Sequence, residues 1–237
     1  IEFNLSDDQK RKCEQFVNIF KFNSTQFNYG FCDHFNDGNG LTAGRSLFTT
    51  KSGDVYHVVR KYSFRRPFNL LVPFQDQLKR LADNKSSDVL NLKGFPMAWK
   101  SSASDPVFRI IQDRVNDELY YRPAMRLAFT LNLRSALSKC IIYDTISQHG
   151  VYKTVNTFKT IIPRNESKEK DKMILQTEKI WIRHFLKLRQ ILLEDYEHRV
   201  HTNEWLHDMD SVDGLLDLIS EGNWHFKEPI RVGPQHH

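Results

Sequence analysis

The reading of this chain turns on Asn36-Asp37-Gly38-Asn39-Gly40-Leu41-Thr42-Ala43-Gly44. One carboxylate, Asp37, sits in a run with three glycines. Glycine reaches backbone angles that other residues avoid, so such a segment turns sharply and lets a ligand approach the main chain. Thr42 offers a hydroxyl five residues after Asp37. A fixed carboxylate beside a hydroxyl that steers water is the base half of a hydrolytic site. The same residues also make an ordinary polar turn capped by Asp37. The rest of the chain has to decide between these readings, above all by showing whether an acid half exists.

The chain has 237 residues, 40 % of them apolar and 27 % charged, the balance of a folded protein with one large domain or two lobes around a cleft. It has no run of about 18 uncharged apolar residues, so no membrane-spanning helix is expected. It opens on Ile1 without a signal peptide, which reads as a mature or trimmed form. The net charge of +5 is spread along the chain apart from a mixed run at Lys168–Lys172. With no arginine-rich block, no nucleic-acid partner is expected. Cys13, Cys32 and Cys140 are too few for a disulfide scaffold; either Cys13 and Cys32 pair or all are buried thiols. Sequons at Asn4, Asn23, Asn84 and Asn165 lean towards secretion.

Helical periodicity dominates. Ser6 and Gln9 form a capping box, with Cys13, Phe16, Val17 and Phe20 on one face behind it. Arg45 to Thr50 reads as a short strand. Gly53-Asp54 opens a helix with Val55, Val58, Val59 and Tyr62 on one side, and Asp54 suits the positive end of that helix. Further helices are expected around Leu71–Leu81 and after Asp105-Pro106, the latter with a stripe of Val107, Ile110, Ile111 and Val115. The longest candidate runs from Pro123 to about His149, apolar nearly all round, and reads as the central helix. Asp144 lies near its C-terminal end, where a carboxylate is disfavoured, so it needs a cation or solvent. Another helix spans about Met173 to His198, with Ile180, His184, Lys187 and Ile191 in one row and Trp181, Phe185, Leu188 and Leu192 beside it. A last short helix carries Val212, Leu215, Leu216 and Ile219 and stops at Gly222.

Several site motifs fail on inspection. Asp33 to Gly44 has the length of a calcium loop, but Phe35 and Gly44 stand where oxygen ligands are required. His198, His201 and His207 lack metal-ligand spacing. There is no nucleophile elbow, phosphate loop or dinucleotide fingerprint, so neither metal nor cofactor is expected.

At the glycine loop and the central helix the chain resembles the family 46 chitosanases. These are bilobal, mainly α, lysozyme-type enzymes that hydrolyse β-1,4-glucosamine polymers with inversion. The family loop Gly-Asp-Gly-Arg-Gly-Tyr-Thr-Gly-Gly resembles residues 36–44. A family Gly-Asp at a helix start resembles Gly53-Asp54, and Tyr-Asp-x-x-x-x-His-Gly resembles Tyr143 to Gly150. Phe-Leu-x-x-Arg resembles Phe185 to Arg189, and Arg-Val-x-Thr resembles Arg199 to Thr202. The resemblance implies a bilobal lysozyme-like fold over residues 1–237, mainly α, with a small β element near the cleft. It implies Asp37 as general base and Thr42 as holder of the attacking water. Asp54 would bind a glucosamine amine, with Asn39, Ser24 and His149 as further substrate contacts. Asp144, Arg189 and Arg199 would form a supporting charge network. The implied partners are chitosan or partly deacetylated chitin oligosaccharides, met outside the cell or at its wall.

The departure is at the acid. The family has a glutamate just before Asn-Ser-Ser, and here Phe22 precedes Asn23-Ser24-Thr25; counting back from Asp37 without a gap lands on Ile19 instead. No carboxylate occurs between Glu14 and Asp33. An inverting glycosidase needs two carboxyl groups, one for the leaving oxygen and one for water. Either Asp33 or His34 substitutes, or the chain is a glycan-binding relative without turnover. A +5 protein also repels a polycation unless its cleft is locally negative.

Overall fold

The computed structural model describes residues 3–159, 171–197 and 204–230. Its contacts divide into two units. One comprises Gln26–Leu119, and the other the chain up to Thr25 together with the described residues from Tyr120 onward.

The Gln26–Leu119 unit begins with an antiparallel sheet of β1 (Cys32–His34), β2 (Leu41–Ala43) and β3 (Phe48–Thr49), in that spatial order. Cys32 pairs with Ala43 and His34 with Leu41, so the glycine run closes the β1–β2 hairpin. The strand expected over Arg45–Thr50 shrinks to two residues, because Gly44 and Leu47 both adopt positive φ and turn the chain just before β3. Four helices follow: α2 (Asp54–Arg65), α3 (Gln75–Asn84), α4 (Phe95–Ser102) and α5 (Pro106–Asn116). Val55, Val58, Val59 and Tyr62 of α2 are all buried, as their spacing requires. Their core is aromatic. Tyr62, Phe108, Trp99 and Phe95 form a chain of rings with successive centroids 4.7, 4.9 and 5.8 Å apart. The stripe expected on α5 is displaced. Ile110 is exposed, and the buried face is Phe108, Ile111, Gln112, Val115 and Asn116. Two polar residues occupy core positions there because the β2–β3 segment supplies their hydrogen-bond partners.

The other unit is helical among its described residues: α1 (Asp7–Phe22), α6 (Arg122–Thr130), α7 (Ala136–Lys159), α8 (Asp171–Glu197) and α9 (Glu204–Glu221). The capping box at Ser6 and Gln9 is present with both bonds formed. Cys13, Phe16, Val17 and Phe20 are buried, and Gly214 of α9 lets that helix approach α1 closely. A Cβ there would stand 2.7 Å from the Phe20 ring. Neither alternative for the cysteines, a Cys13–Cys32 pair or three buried thiols, holds. Cys13 joins Cys140, 127 residues away on α7, while Cys32 is a free thiol on β1. Cys13 belongs to the apolar face of α1, which packs on α7 and α9.

The single helix expected from Pro123 to His149 is two helices. Asn132 adopts φ 55°, and Leu133 N–H donates to Ala128 O, which ends α6. Ser135 then accepts from Ser138 N–H at the start of α7. From Leu137 to Ile146 every residue of α7 is buried, so it is the central helix in place of the longer one. It runs on past His149 through a non-helical Gly150. The row of Ile180, His184, Lys187 and Ile191 on α8 faces outward, as do Leu188 and Leu192. Its buried face is Glu178, Ile182, Phe185, Leu186, Arg189 and Leu193. That face contains two charges, each satisfied by α7 or its N-terminus, and a hydrophobic count overlooks it. Gly222 at φ 74° ends α9 as expected.

Candidate active site

In the Gln26–Leu119 unit the loop after β1 places Asp37, half-buried, with both carboxylate oxygens engaged. Oδ1 accepts from the Asn39 backbone N–H at 2.8 Å, and Oδ2 accepts from Asn39 Nδ2 at 2.9 Å. Asn39, expected to touch substrate, therefore also holds the carboxylate in place. The loop is tied to the segment that follows the sheet. Lys51 N–H donates to Asn39 O, Lys51 Nζ to Gly38 O, and Thr50 Oγ1 accepts from Leu41 N–H. Gly53 N–H donates to Thr50 O, and the next residue is Asp54, the first of α2. Asp37 and Asp54 are thus connected through a short hydrogen-bonded path, and the bond from Asn39 N–H to Asp37 Oδ1 also makes Asp37 the cap of its own polar turn.

Thr42 is buried in the middle strand, where its Cα partners are Asp33 on β1 and Thr49 on β3. Directly paired residues of an antiparallel ladder project to the same face. Asp33 shares that face with Thr42 but is exposed, and its Oδ1 accepts from His34 N–H. His34 is exposed beside it.

From α5, polar side chains that sequence reading did not single out hold Tyr29 before β1 and Arg45 after β2. Gln112 Oε1 accepts from Arg45 N–H at 3.1 Å, and Gln112 Nε2 donates to Tyr29 O at 3.0 Å. Trp99 Nε1 donates to the same carbonyl, which makes Trp99 a core anchor. Asp113 accepts from Tyr29 Oη at 2.9 Å and from Arg45 Nη1 at 2.5 Å, and the Arg45 guanidinium lies 4.0 Å from the Phe27 ring centre. Gly44 has to be glycine here. Its φ is +73°, and a Cβ would fall 2.3 Å from Gln112 Oε1 and 2.9 Å from the Trp99 ring.

A second cluster follows Asp54 along α2. His57 Nε2 lies 3.1 Å from Glu118 Oε2, and Lys61 Nζ donates to Glu118 Oε1 at 2.9 Å. Glu118 sits in a π-helical turn, Asp117–Tyr121. Burial pushes its carboxyl up, yet the Lys61 ammonium and His57 more than offset this and hold it below its ordinary value. The i, i+4 spacing of His57 and Lys61 was the available signal; their shared partner, some 60 positions away, had none.

In the other unit, Asp144 on α7 is fully buried and Arg189 on α8 nearly so. Arg189 Nη1 donates to Asp144 Oδ2 at 2.6 Å and to Thr145 Oγ1 at 3.1 Å, and Nη2 to Gln148 Oε1. Ser211 Oγ donates to the same Asp144 oxygen at 3.1 Å, and Gln148 Nε2 to the other at 3.3 Å. Of the two alternatives for Asp144, a cation or solvent, the structure gives it a cation, Arg189. Arg199, like His198 and His201, lies outside the described residues. His149 is half-buried on α7 just before Gly150. Phe22 is the last residue of α1, and Lys21 beside it donates to Ser147 Oγ at 3.3 Å. Ser24 O accepts from the buried Asn18 amide at 2.6 Å. Glu178 is a further buried carboxylate that sequence reading missed. It accepts from Arg134 N–H, Ser135 N–H and Ser135 Oγ, and so closes the N-terminus of α7.

Solved structures similar to this one include chitosanases. A family 46 chitosanase of Gynuella sunshinyii in complex with chitotetraose superposes with a TM-score of 0.86 at 33 % identity, covering 97 % of this chain and 95 % of that one. A mutant chitosanase of Bacillus subtilis MY002 complexed with 6 GlcN gives 0.86 at 37 % identity, over 97 % and 96 %. The architecture, mostly helical with one small antiparallel sheet, is that of the lysozyme-like glycoside hydrolases. The chitosanase of Bacillus subtilis strain 168 is 39 % identical over 96 % of this chain and 83 % of its own length. The model of glycosyl hydrolase family 46 matches residues 15–230, and the chain belongs to that family.

Proposed function

We propose that this chain acts on chitosan or partly deacetylated chitin oligosaccharides outside the cell, with Asp37 as the base of an inverting hydrolysis. The observation that carries the reading is the loop itself. Asp37 is held through both oxygens by Asn39, one residue short of Gly40 and in a segment tied to Asp54. A carboxylate so held presents its remaining lone pairs in a defined direction, which general-base attack by water requires. Thr42 supplies the hydroxyl that orients the water, and Asp54 the charge that pairs with a glucosamine ammonium. Asn39, Ser24 and His149 contribute further sugar contacts, and the Asp144–Arg189 pair, joined by Arg199, supports them. The Cys13–Cys140 bridge favours an oxidising, extracellular location.

Turnover is expected to be weak. The last turn of α1, where the family acid belongs, carries Ile19, Phe20, Lys21 and Phe22 and no proton donor of the carboxyl type. General acid help is worth roughly 10²–10⁴-fold. Asp33, on the same sheet face as Thr42, is the proposed substitute. The second reading, a chitosan-binding protein without turnover, is favoured by that same acid-free turn.

Reducing-end release from chitosan separates the two. Under the hydrolase reading, wild type releases ends slowly, Asp37→Asn abolishes release, and Asp33→Asn lowers it. Phe22→Glu or, beside it, Lys21→Glu raises it. Binding of chito-oligosaccharide without any release, unchanged in Asp37→Asn, would establish the binding reading instead. Failure to bind or cleave would dismiss both.

A further inference from the structure

The segment Phe64-Arg65-Arg66-Pro67-Phe68-Asn69-Leu70 crosses from the end of α2 towards α3 and presents its apolar residues to solvent. Phe64 is 83 % exposed, Phe68 100 % and Leu70 59 %. Single exposed apolar residues are ordinary on protein surfaces; three within seven positions, two of them phenylalanine, are not.

This exposure is built into the turn. Asn69 Nδ2 donates to Ser63 Oγ at 2.9 Å and to Arg66 O at 2.7 Å, while Asn69 Oδ1 accepts from Leu71 N–H at 2.7 Å. Arg66 N–H donates to Tyr62 O and Val72 N–H to Asn69 O, and Leu71 is fully buried. Arg66 Nε also reaches Asp105 Oδ2 at 3.3 Å, the oxygen that accepts from Tyr62 Oη. Both ends of the turn are therefore pinned to the core, and Phe68 stands at its tip.

Along the segment itself the charge has one sign. Between Asp54 and Asp76 the chain has no carboxylate and four cations, Arg60, Lys61, Arg65 and Arg66. Glu118 pairs with Lys61 and Asp105 with Arg66, while Arg60 and Arg65 lie exposed. A second copy of the chain would set these cations against themselves. Chitosan, a polycation, would meet the same repulsion. A convex aromatic tip with flanking arginines suits a soft, anionic, apolar phase: the rings enter the acyl boundary and the guanidiniums stay with the headgroups.

We propose that the 64–70 turn is a peripheral anchor for anionic lipid bilayers, separate from the chemistry assigned to Asp37. The test is co-sedimentation of the full chain with phosphatidylserine-containing vesicles and with pure phosphatidylcholine vesicles at low salt. The wild type is expected to sediment with the former and much less with the latter. Phe64→Ser with Phe68→Ser is expected to weaken vesicle binding at least about tenfold, the scale of withdrawing buried aromatic surface. Arg65→Gln is expected to weaken it less. The thermal midpoint should stay unchanged, because the altered side chains are exposed. No sedimentation with anionic vesicles would overturn the proposal. So would a double-serine variant that binds as tightly as wild type, which would assign the effect to diffuse net charge. Loss of chitosan co-sedimentation in that variant, with vesicle binding intact, would reassign the turn to polysaccharide.

Discussion

Replacing Asp144 by asparagine keeps the side-chain shape and removes its charge. The consequences follow from its partners. Asp144 is 0 % exposed and Arg189 3 %, and Arg189, Ser211 and Gln148 all donate to the carboxylate. An amide has one acceptor oxygen, so its NH₂ must face at least one of these donors. Arg189 would remain charged and buried without an anion. Breaking a buried pair from one side costs about 3–5 kcal/mol. For a chain of this size each kcal/mol moves the midpoint by about 2–4 °C, which gives a drop of about 6–20 °C. Scanning calorimetry at neutral pH reads this directly. The companion variant removes both charges, Asp144→Leu with Arg189→Met, and is expected to recover most of the loss because desolvation of neither ion is then required. An Asp144→Asn midpoint within about 2 °C of wild type, equivalent to under about 1 kcal/mol, would refute the reasoning. So would a double variant whose loss equals the sum of the two single variants.

Gly44→Ala places a Cβ 2.3 Å from Gln112 Oε1 on a left-handed backbone. The backbone alone costs about 1–2 kcal/mol, and urea denaturation should show at least that loss, together with lower chitosan turnover or binding. Removing the Cys13–Cys140 bridge by serine at both positions frees a 127-residue separation in the unfolded chain and should cost about 2–5 kcal/mol, read as a lower urea midpoint that dithiothreitol no longer shifts. Burial, with Asp33 beside it, pushes the Cys32 thiol up to about 12, so iodoacetamide at neutral pH should label native protein far more slowly than unfolded protein. Burial raises the Asp105 carboxyl, but the Val107 N–H, Tyr62 Oη and Arg66 outweigh it and hold the group below its ordinary value. The stability this carries is present at neutral pH and lost as pH falls through the lowered value, so Asp105→Asn should flatten the acid limb of a midpoint-against-pH curve. Burial and then the Asp105 hydrogen bond push Tyr62 up to about 12, so its contribution holds below about 10, is lost between about 10 and 12, and disappears in Tyr62→Phe.

Features governed by near neighbours in the chain were legible before any coordinates. The Ser6–Gln9 capping box, the α2 face of Val55, Val58, Val59 and Tyr62, the glycine stop at Gly222 and the turn around Asp37 each depend on residues a few positions apart. That Asp144 needs either a cation or solvent was legible too, since position on a helix sets it. What the linear order could not decide was which distant groups would meet. Helical spacing grouped Ile180 with Ile191 and set Leu188 on the adjacent face of α8, yet all three are exposed while Glu178 and Arg189 are buried. Charged residues can hold such positions only when another helix brings their counterparts, here the α7 N-terminus and Asp144. The same holds for Gln112 and Asn116 on α5 and for the choice of Cys140 over Cys32. By itself the sequence determined the α1 and α2 helices, the Ser6–Gln9 cap and the carboxylate loop, because those follow from local backbone and dipole energetics. The tertiary structure alone decided the pairings that hold the loop and close the disulfide, because the free energy of burying a polar or sulfur-bearing side chain depends on a partner that sequence distance does not reveal.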